Sequence, residues 1–390
     1  MLTALAVSNY RSLRNLALGL ERLNVITGAN GSGKSNVYRA LRLLADTAQG
    51  RVVSSLAREG GLQSTLWAGP EMTSQAVRRG DYPVQGTVRQ KPVSLRLGFS
   101  SDEFGYLIDL GLPPPVRPPA SSAFSLDPEI KRECIWHGPV VRPSTLLVDR
   151  ESCVVRTRSD HGEWQVVAHN LSPFGTMMTH VADPRNTPEM LTLRESIRAW
   201  RFYDHFRTDS DAPARSAQIG TRTPVLANDG VDLAAAIETI REIGDDSRLT
   251  SAVEDAFPAS SLSVENNSGW FSLRMKQHGL LRALSAAELS DGTLRYLLLV
   301  AALLTPRPPA LMVLNEPETS LHPDLIAPLA RLIAQASECS QIIIVTHSAP
   351  LITALAEHGC NSIMLVKRFG ETIVVGRDGL SAPAWHWPSR

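Results

Sequence analysis

The sequence predicts an α/β protein whose principal fold is assembled from its two ends. Three observations carry this expectation. Residues 22–27 read as a short apolar strand that ends at a glycine-rich turn followed by an amphipathic helix. From Leu289 onward, helical and strand periods alternate again, ending in a hairpin. Between these stretches the pattern changes to the period of two that marks strands, interrupted by proline-rich and helical segments.

Taken in order, residues 2–8 and 22–27 are predicted strands, and Val37, Leu41, Leu44, Ala45 and Ala48 give Asn36–Ala48 a helical face. Residues 83–110 alternate as strands, and Pro113–Pro119 breaks regular structure because proline lacks a donor and fixes φ. Strands are expected at 145–156 and 163–168, and an arginine-rich helix over Pro188–Phe206. Residues 208–228 read as a polar loop, 232–243 as a helix, and 261–284 as strands. A buried helix over Leu294–Leu304, a strand over Ala310–Leu314, a helix over Ile326–Ala336, a strand over Gln341–Val345 and a hairpin over Ser362–Val375 complete the chain. The expected organisation is a core built from residues 1–82 and 285–390, with 83–284 inserted as a β-rich and helical region. No internal repeat or sustained heptad pattern appears.

The 390 residues are 43% hydrophobic, enough for a large core, and 39 basic residues balance 39 acidic ones. Zero net charge gives no global reason to bind nucleic acid. Cys134, Cys153, Cys339 and Cys360 lack metal-ligand spacing, so reduced thiols in a cytoplasmic protein are expected. The apolar N-terminus has no basic n-region and reads as a strand, not a signal peptide. No apolar run approaches the roughly 18 residues of a membrane helix, so no membrane is expected.

The chemistry is concentrated in short motifs. Gly28-Ala29-Asn30-Gly31-Ser32-Gly33-Lys34-Ser35 fits GxxxxGK[ST], the P-loop pattern, between a strand and a helix. Its glycines let backbone N–H groups turn toward a β-phosphate, and the helix opening at Lys34 adds its positive end. Lys34 is expected on the β- and γ-phosphates of ATP, and Ser35 on Mg²⁺. Leu311-Met-Val-Leu-Asn315-Glu316 is an apolar strand closing on an acidic step, the Walker B pattern, with Glu316 as the base for an attacking water. Asn315 stands where aspartate is usual. Its amide oxygen can accept from a Mg²⁺-bound water but brings no charge, so weak turnover is expected.

Leu289-Ser290-Asp291-Gly292-Thr293 opens the next buried helix. Ser290 and Gly292 at a helix N-terminus suit a γ-phosphate, although an N-cap by Ser290 or Asp291 explains the same residues. His347, in Thr346-His347-Ser348 after the strand at 341–345, is placed to sense that phosphate. Glu318 to Pro323 is expected at a dimer interface, and Gln63 is a candidate for Mg²⁺ and the attacking water, or an ordinary loop residue.

In this order the motifs resemble ABC-type ATPases of the SMC, RecF and OLD group, and more narrowly small bacterial AAA-family ATPases with an OLD-like ATPase domain. The likeness rests on Asn9-Tyr10-Arg11-Ser12-Leu13, residues 28–36, 289–294, 315–323 and 346–348, with a looser likeness in Arg201–Arg207 and 230–236. It implies an ABC-ATPase-like head with an antiparallel β subdomain and a mixed helical insertion. It also implies nucleotide contacts by Arg11, Asn30, Gly31, Ser32, Gly33, Lys34, Ser35 and Asn36, and a head-to-tail homodimer or higher oligomer. Ser290 and Gly292 would then serve the opposite subunit's nucleotide, while Ser35, Gln63 and Asn315 serve the metal of the chain's own. Family members act on DNA or beside a nuclease or toxin, in repair or defence against phage.

Long coiled-coil arms and a Cys-x-x-Cys hook are absent, and too little chain follows His347 for a TOPRIM nuclease domain, so any effector is expected to be a separate polypeptide. Arg194, Arg198, Arg201 and Arg207 form the local case for DNA, against a solvated face paired to Glu195, Asp204 and Asp209. A non-hydrolysing ATP-gated scaffold is the rival reading. A transporter subunit is disfavoured by the long insertion after Gln63.

Overall fold

β1 (Leu2–Tyr10) forms from the apolar N-terminal run, and β2 (Leu13–Gly19) folds back beside it with Tyr10 opposite Leu13. All five residues of β3 (Leu23–Thr27) are buried, as befits a strand covered on both faces. The expected helix follows as α1 (Lys34–Thr47), with Val37, Leu41, Leu44 and Ala45 buried. Short helices α2 (Val52–Arg58) and α3 (Leu62–Thr65) come next. The computed structural model describes residues 1–70, 92–114, 122–159, 161–376, 383 and 385–388. The first part of the alternating stretch, 83–91, and most of Pro113–Pro119 lie outside them.

β4 (Leu95–Ser101), β5 (Phe104–Gly111), β6 (Glu129–His137), β7 (Leu146–Glu151), β8 (Val154–Arg158) and β9 (Trp164–Ala168) form an antiparallel meander. After α4 (Met177–His180) comes α5 (Pro188–Arg198). Here the structure corrects the sequence. The helix expected to Phe206 stops at Arg198, and Arg201–Tyr203 becomes β10. Trp200, Phe202, Tyr203 and Phe206 are all buried, and an aromatic run of this kind packs well on a sheet. β11 (Gln218–Ile219), α6 (Leu233–Ile243) and α7 (Asp246–Ala256) follow.

β12 (Ser261–Asn267) and β13 (Trp270–Lys276) are joined by Ser268 and Gly269, both at positive φ as a type I′ hairpin requires. After β14 (Leu284–Ser285) come α8 (Asp291–Leu303), β15 (Leu311–Asn315), α9 (Ile326–Ala336), β16 (Gln341–Val345) and α10 (Ala349–Ala356). The expected hairpin is present as β17 (Asn361–Arg368) and β18 (Glu371–Val374).

The chain divides into two compact units. The first comprises Met1–Glu21, Gly28–Ala199 and Ile363–Arg390. It holds an eight-stranded antiparallel sheet ordered β2-β1-β4-β5-β6-β7-β8-β9. Within it, the fully buried Arg150–Glu133 pair ties the sheet to the segment before α4. Arg150 donates to the carbonyls of Ser172 and Gly175, and Glu133 accepts from the Met177 N–H and the Tyr106 hydroxyl.

The second unit comprises Arg22–Thr27 and Trp200–Ser362. Its parallel strands run β10-β15-β16-β3. α8 is buried along nearly its whole length, and Leu297, Leu298 and Val300 lie in one core with Leu314, Leu329 and Ile344. Parallel strands of this kind present their carboxyl ends as the place where ligands bind.

Candidate functional site

The glycine-rich loop belongs to the first unit. α1 starts at Lys34 without a side-chain cap and without an acidic residue in its first turn, so its N-terminal N–H groups have no competing carboxylate. Gly33 has φ of 109°, and a Cβ there would lie 2.1 Å from Thr372 Oγ1. That threonine braces the loop. Its hydroxyl donates to Ser32 O at 2.8 Å and lies 2.7 Å from Ser12 Oγ, which accepts from Asn36 Nδ2 at 2.8 Å.

Lys34 is buried, with Nζ donating to the carbonyls of Gly28 at 2.6 Å and Ala29 at 3.2 Å. Asn30, Gly31 and Ser35 are exposed. Among the described residues, Ser32 Oγ is buried without a hydrogen-bond partner. Such a hydroxyl carries a penalty of about 1–3 kcal/mol that an anion's oxygen would relieve.

Arg11 lies in the tight turn after β1 at φ of 49°, and donates to Glu59 Oε2 from Nη2 at 2.6 Å. A partly exposed pair of this kind is worth about 0–1 kcal/mol, weak enough for a phosphate to replace. Gln63 is exposed on α3, and α3 is held near Arg11 by the Arg11 N–H donating to Thr65 O.

The acidic strand end belongs to the second unit. Glu316 leaves β15 at φ of 47°, a left-handed conformation that costs a non-glycine residue about 1–3 kcal/mol. Its N–H donates to Val345 O, and its carbonyl accepts from the Thr319 N–H and from Arg295 Nη2, each at 3.1 Å. Burial lowers the pKa of the Arg295 guanidinium, while Glu318, Glu316 and Asp204 push it back up.

His347 Nδ1 lies 3.2 Å from Glu316 Oε1, so with its proton on Nδ1 the ring donates to the carboxylate. Glu318 Oε1 accepts from the Thr346 hydroxyl, and its buried Oε2 has no hydrogen-bond partner among the described residues. Asn315 Nδ2 donates to Asp204 Oδ1 at 2.6 Å. The second unit thus brings Glu316, His347 and Asn315 to adjoining strand ends.

Ser290 caps α8, accepting from the Thr293 N–H at 3.2 Å, so the capping geometry is realised; the serine is also exposed. Gly292 packs so tightly that a Cβ would meet Ser320 O at 2.8 Å. The loop before α8 depends on Arg215, which the sequence left unmarked in a polar stretch. Its guanidinium donates to the carbonyls of Ala286, Ala287 and Leu289, to those of Thr208 and Asp209, and to Asp291 Oδ1. Of the four arginines near α5, Arg194 and Arg198 pair with Glu195 and Arg207 with Asp209. Cys134 is buried and Cys153 and Cys339 are exposed, all as free thiols.

A family model described as an AAA domain, putative AbiEii toxin, Type IV TA system, matches residues 23–354. The chain belongs to this family of AAA-type ATPases. Three solved SMC heads are similar to it. The SMC head bound to the C-winged helix domain of ScpA aligns at 14% identity over 96% of this chain and 97% of its own, with a TM-score of 0.52. The head domain from Thermotoga maritima gives 16% identity, 97% and 99% coverage, and 0.43. The head with an extended coiled coil bound to the C-terminal domain of ScpA, derived from Pyrococcus furiosus, gives 13%, 96% and 95%, and 0.46.

The first of these shows that this AAA-family ATPase has the fold of an ABC-type head, with the P-loop and antiparallel sheet expected from its sequence. No curated protein matches it. Among the described residues, no helix is long and apolar enough to cross a membrane.

Proposed function

We propose that the chain is an ATP-driven switch that binds ATP with Mg²⁺, hydrolyses it, and pairs head to tail with a second copy while ATP is bound. The observation that carries this is the phosphate loop: an uncapped helix start, a buried unpartnered Ser32 hydroxyl, and an ammonium resting on loop carbonyls. The N–H groups of residues 30–35 would hold the phosphates, with Lys34 exchanging its carbonyl partners for phosphate oxygens. Arg11 would leave Glu59 to join them, and Asn36 would keep Ser12 and the loop in register.

Among the described residues no three carboxylate, histidine or cysteine groups form a metal cage. Mg²⁺ is commonly held by one or two protein groups plus substrate phosphates. Ser35, Gln63 and Asn315 would face the ion, and the ion when bound would screen phosphate charge. Glu316 would take the proton of the attacking water, and His347, beside it, would contact the γ-phosphate. Ser290 and Gly292 of the second copy would complete the site.

A role in phage defence or genome maintenance is in keeping with the family's description as a putative toxin of a type IV toxin–antitoxin system; a separate effector polypeptide, a nuclease or toxin, is the partner this reading adds. DNA is the weaker partner: the chain carries no net charge, and its local case is a few arginines, of which Arg194, Arg198 and Arg207 each face a carboxylate. The ATPase core is proposed to come from 1–82 and 285–390, in the cytoplasm.

The test is steady-state ATP hydrolysis by the full chain against Glu316→Gln. A drop of about 100-fold or more supports the enzyme. Equal rates would instead establish the non-hydrolysing scaffold, the reading that Asn315 favours.

A further inference from the structure

The strand end that lacks its usual aspartate has a carboxylate at its side. β10 and β15 run parallel with Tyr203 opposite Leu314, so Asp204, just past β10, comes beside Asn315, the last residue of β15. Asn315 Nδ2 donates to Asp204 Oδ1 at 2.6 Å. An amide has one donor end and one acceptor end. With the nitrogen committed to Asp204, Oδ1 is the end presented elsewhere. The reverse flip would set an amide oxygen against a carboxylate oxygen, so the partner decides the orientation.

We propose that Asp204 is the positioning residue of the metal side of this site: it turns the Asn315 oxygen toward Mg²⁺ or its water, and supplies the negative charge that asparagine lacks. This deepens the reading of the chain as a Mg²⁺·ATP protein and rests on it. Asp204, Glu316 and Glu318 all act on the buried Arg295, but that guanidinium is already engaged by the carbonyls of Glu316 and Pro317. Three carboxylates thus gather at this strand end around one guanidinium, and Asp204 is the one that meets the Asn315 amide. An aspartate at 315 would instead face Asp204 across a short gap, where two like charges repel. The asparagine is thus matched to its neighbour.

The experiment measures Mn²⁺ binding by the full chain in the presence of ATP, from the loss of the free-ion electron paramagnetic resonance signal. ATP binding in EDTA and thermal melting are recorded beside it. Asp204→Asn is expected to weaken Mn²⁺ binding about 10–100-fold, with ATP binding in EDTA unchanged. Asn315→Asp alone is expected to bind Mn²⁺ no more tightly than the natural chain.

The double variant Asp204→Asn with Asn315→Asp reverses the hydrogen bond and keeps the charge, and is expected to recover Mn²⁺ affinity to within a few-fold. An unchanged affinity in folded Asp204→Asn, or a folded double variant with no recovery, overturns the proposal. A natural chain that binds no ATP in either condition overturns the underlying ATP reading, and this proposal with it.

Discussion

Arg215 offers the sharpest test of how the signature-like loop is held. Its side chain is only 8% exposed, and its replacement by alanine would strip partners from two segments at once. The ion pair to Asp291, a side chain 61% exposed, is worth about 0–1 kcal/mol. The carbonyl contacts matter more, because Ala286 and Leu289 are buried. At about 1–2 kcal/mol for each bond after partial replacement by water, the loss comes to about 2–4 kcal/mol. For a domain of roughly this size that lowers the melting temperature by about 5–15 °C.

Arg215→Lys should recover less than half. One ammonium cannot span acceptors that a planar guanidinium reaches from both edges. The assay is thermal melting of both variants, followed by sizing with saturating ATP and Mg²⁺. ATP-dependent dimerisation is expected to weaken more than tenfold, since about 1.4 kcal/mol of loop displacement already does so. Melting of Arg215→Ala within about 1 °C of the natural chain would refute this account of the loop.

Four further outcomes are expected. Glu316→Gln should shift the chain from monomer to dimer when ATP is added, and Ser290→Arg should abolish the shift, as measured by light scattering after size exclusion. Thr372→Val removes the hydroxyl that bonds Ser32 O and Ser12 Oγ; it should cost about 1–3 kcal/mol in urea melts and weaken ATP binding several-fold by calorimetry. Glu133→Gln keeps the shape of its site but leaves Arg150 buried beside a neutral group, a loss of about 3–5 kcal/mol readable by chemical denaturation.

Burial, then the neighbouring Asp149 carboxylate, raises the Cys134 thiol well above its ordinary pKa of 9.0. The unfolded chain therefore loses this proton first. The contribution to stability is complete below pH 9 and is lost as pH rises beyond it. Melts from pH 7 to 10.5 should fall off above pH 9, less steeply in Cys134→Ala, and thiol reagents at pH 8 should modify Cys153 and Cys339 before Cys134.

What the sequence disclosed was local chemistry. The run from Gly28 to Ser35 announces its loop because glycines at special φ, a lysine and a helix period all fall within a few residues. The same holds for Asn315-Glu316 after four apolar residues, and for the closing hairpin at Ser362–Val375, which forms as β17 and β18. The helix of 188–206 fails for a physical reason. Helical spacing continues to Arg198, but the aromatic run that follows gains more by pairing with β15 than by another turn. Short helices such as α2 and α10 were missed because so few turns carry little periodicity.

Residues whose partners the sequence did not disclose act across long stretches of chain. Thr372 braces a loop 340 positions before it, Asp204 meets Asn315 across 111, and Arg215 reaches Leu289 across 74. Thr372 and Arg215 stand in no motif, and Asp204, within the Arg201–Arg207 stretch, reads there only as a partner for arginines; each is one polar residue among many until the fold chooses its neighbour. Asn315 shows the consequence. Read alone, it is a Walker B strand that has lost a charge, and it argues for weak turnover. Beside Asp204 the charge is one strand away, and the asparagine is a donor with a partner already in place. Deleting the aspartate from the motif and deleting it from the site are therefore different events, and only the first is visible in the order of residues.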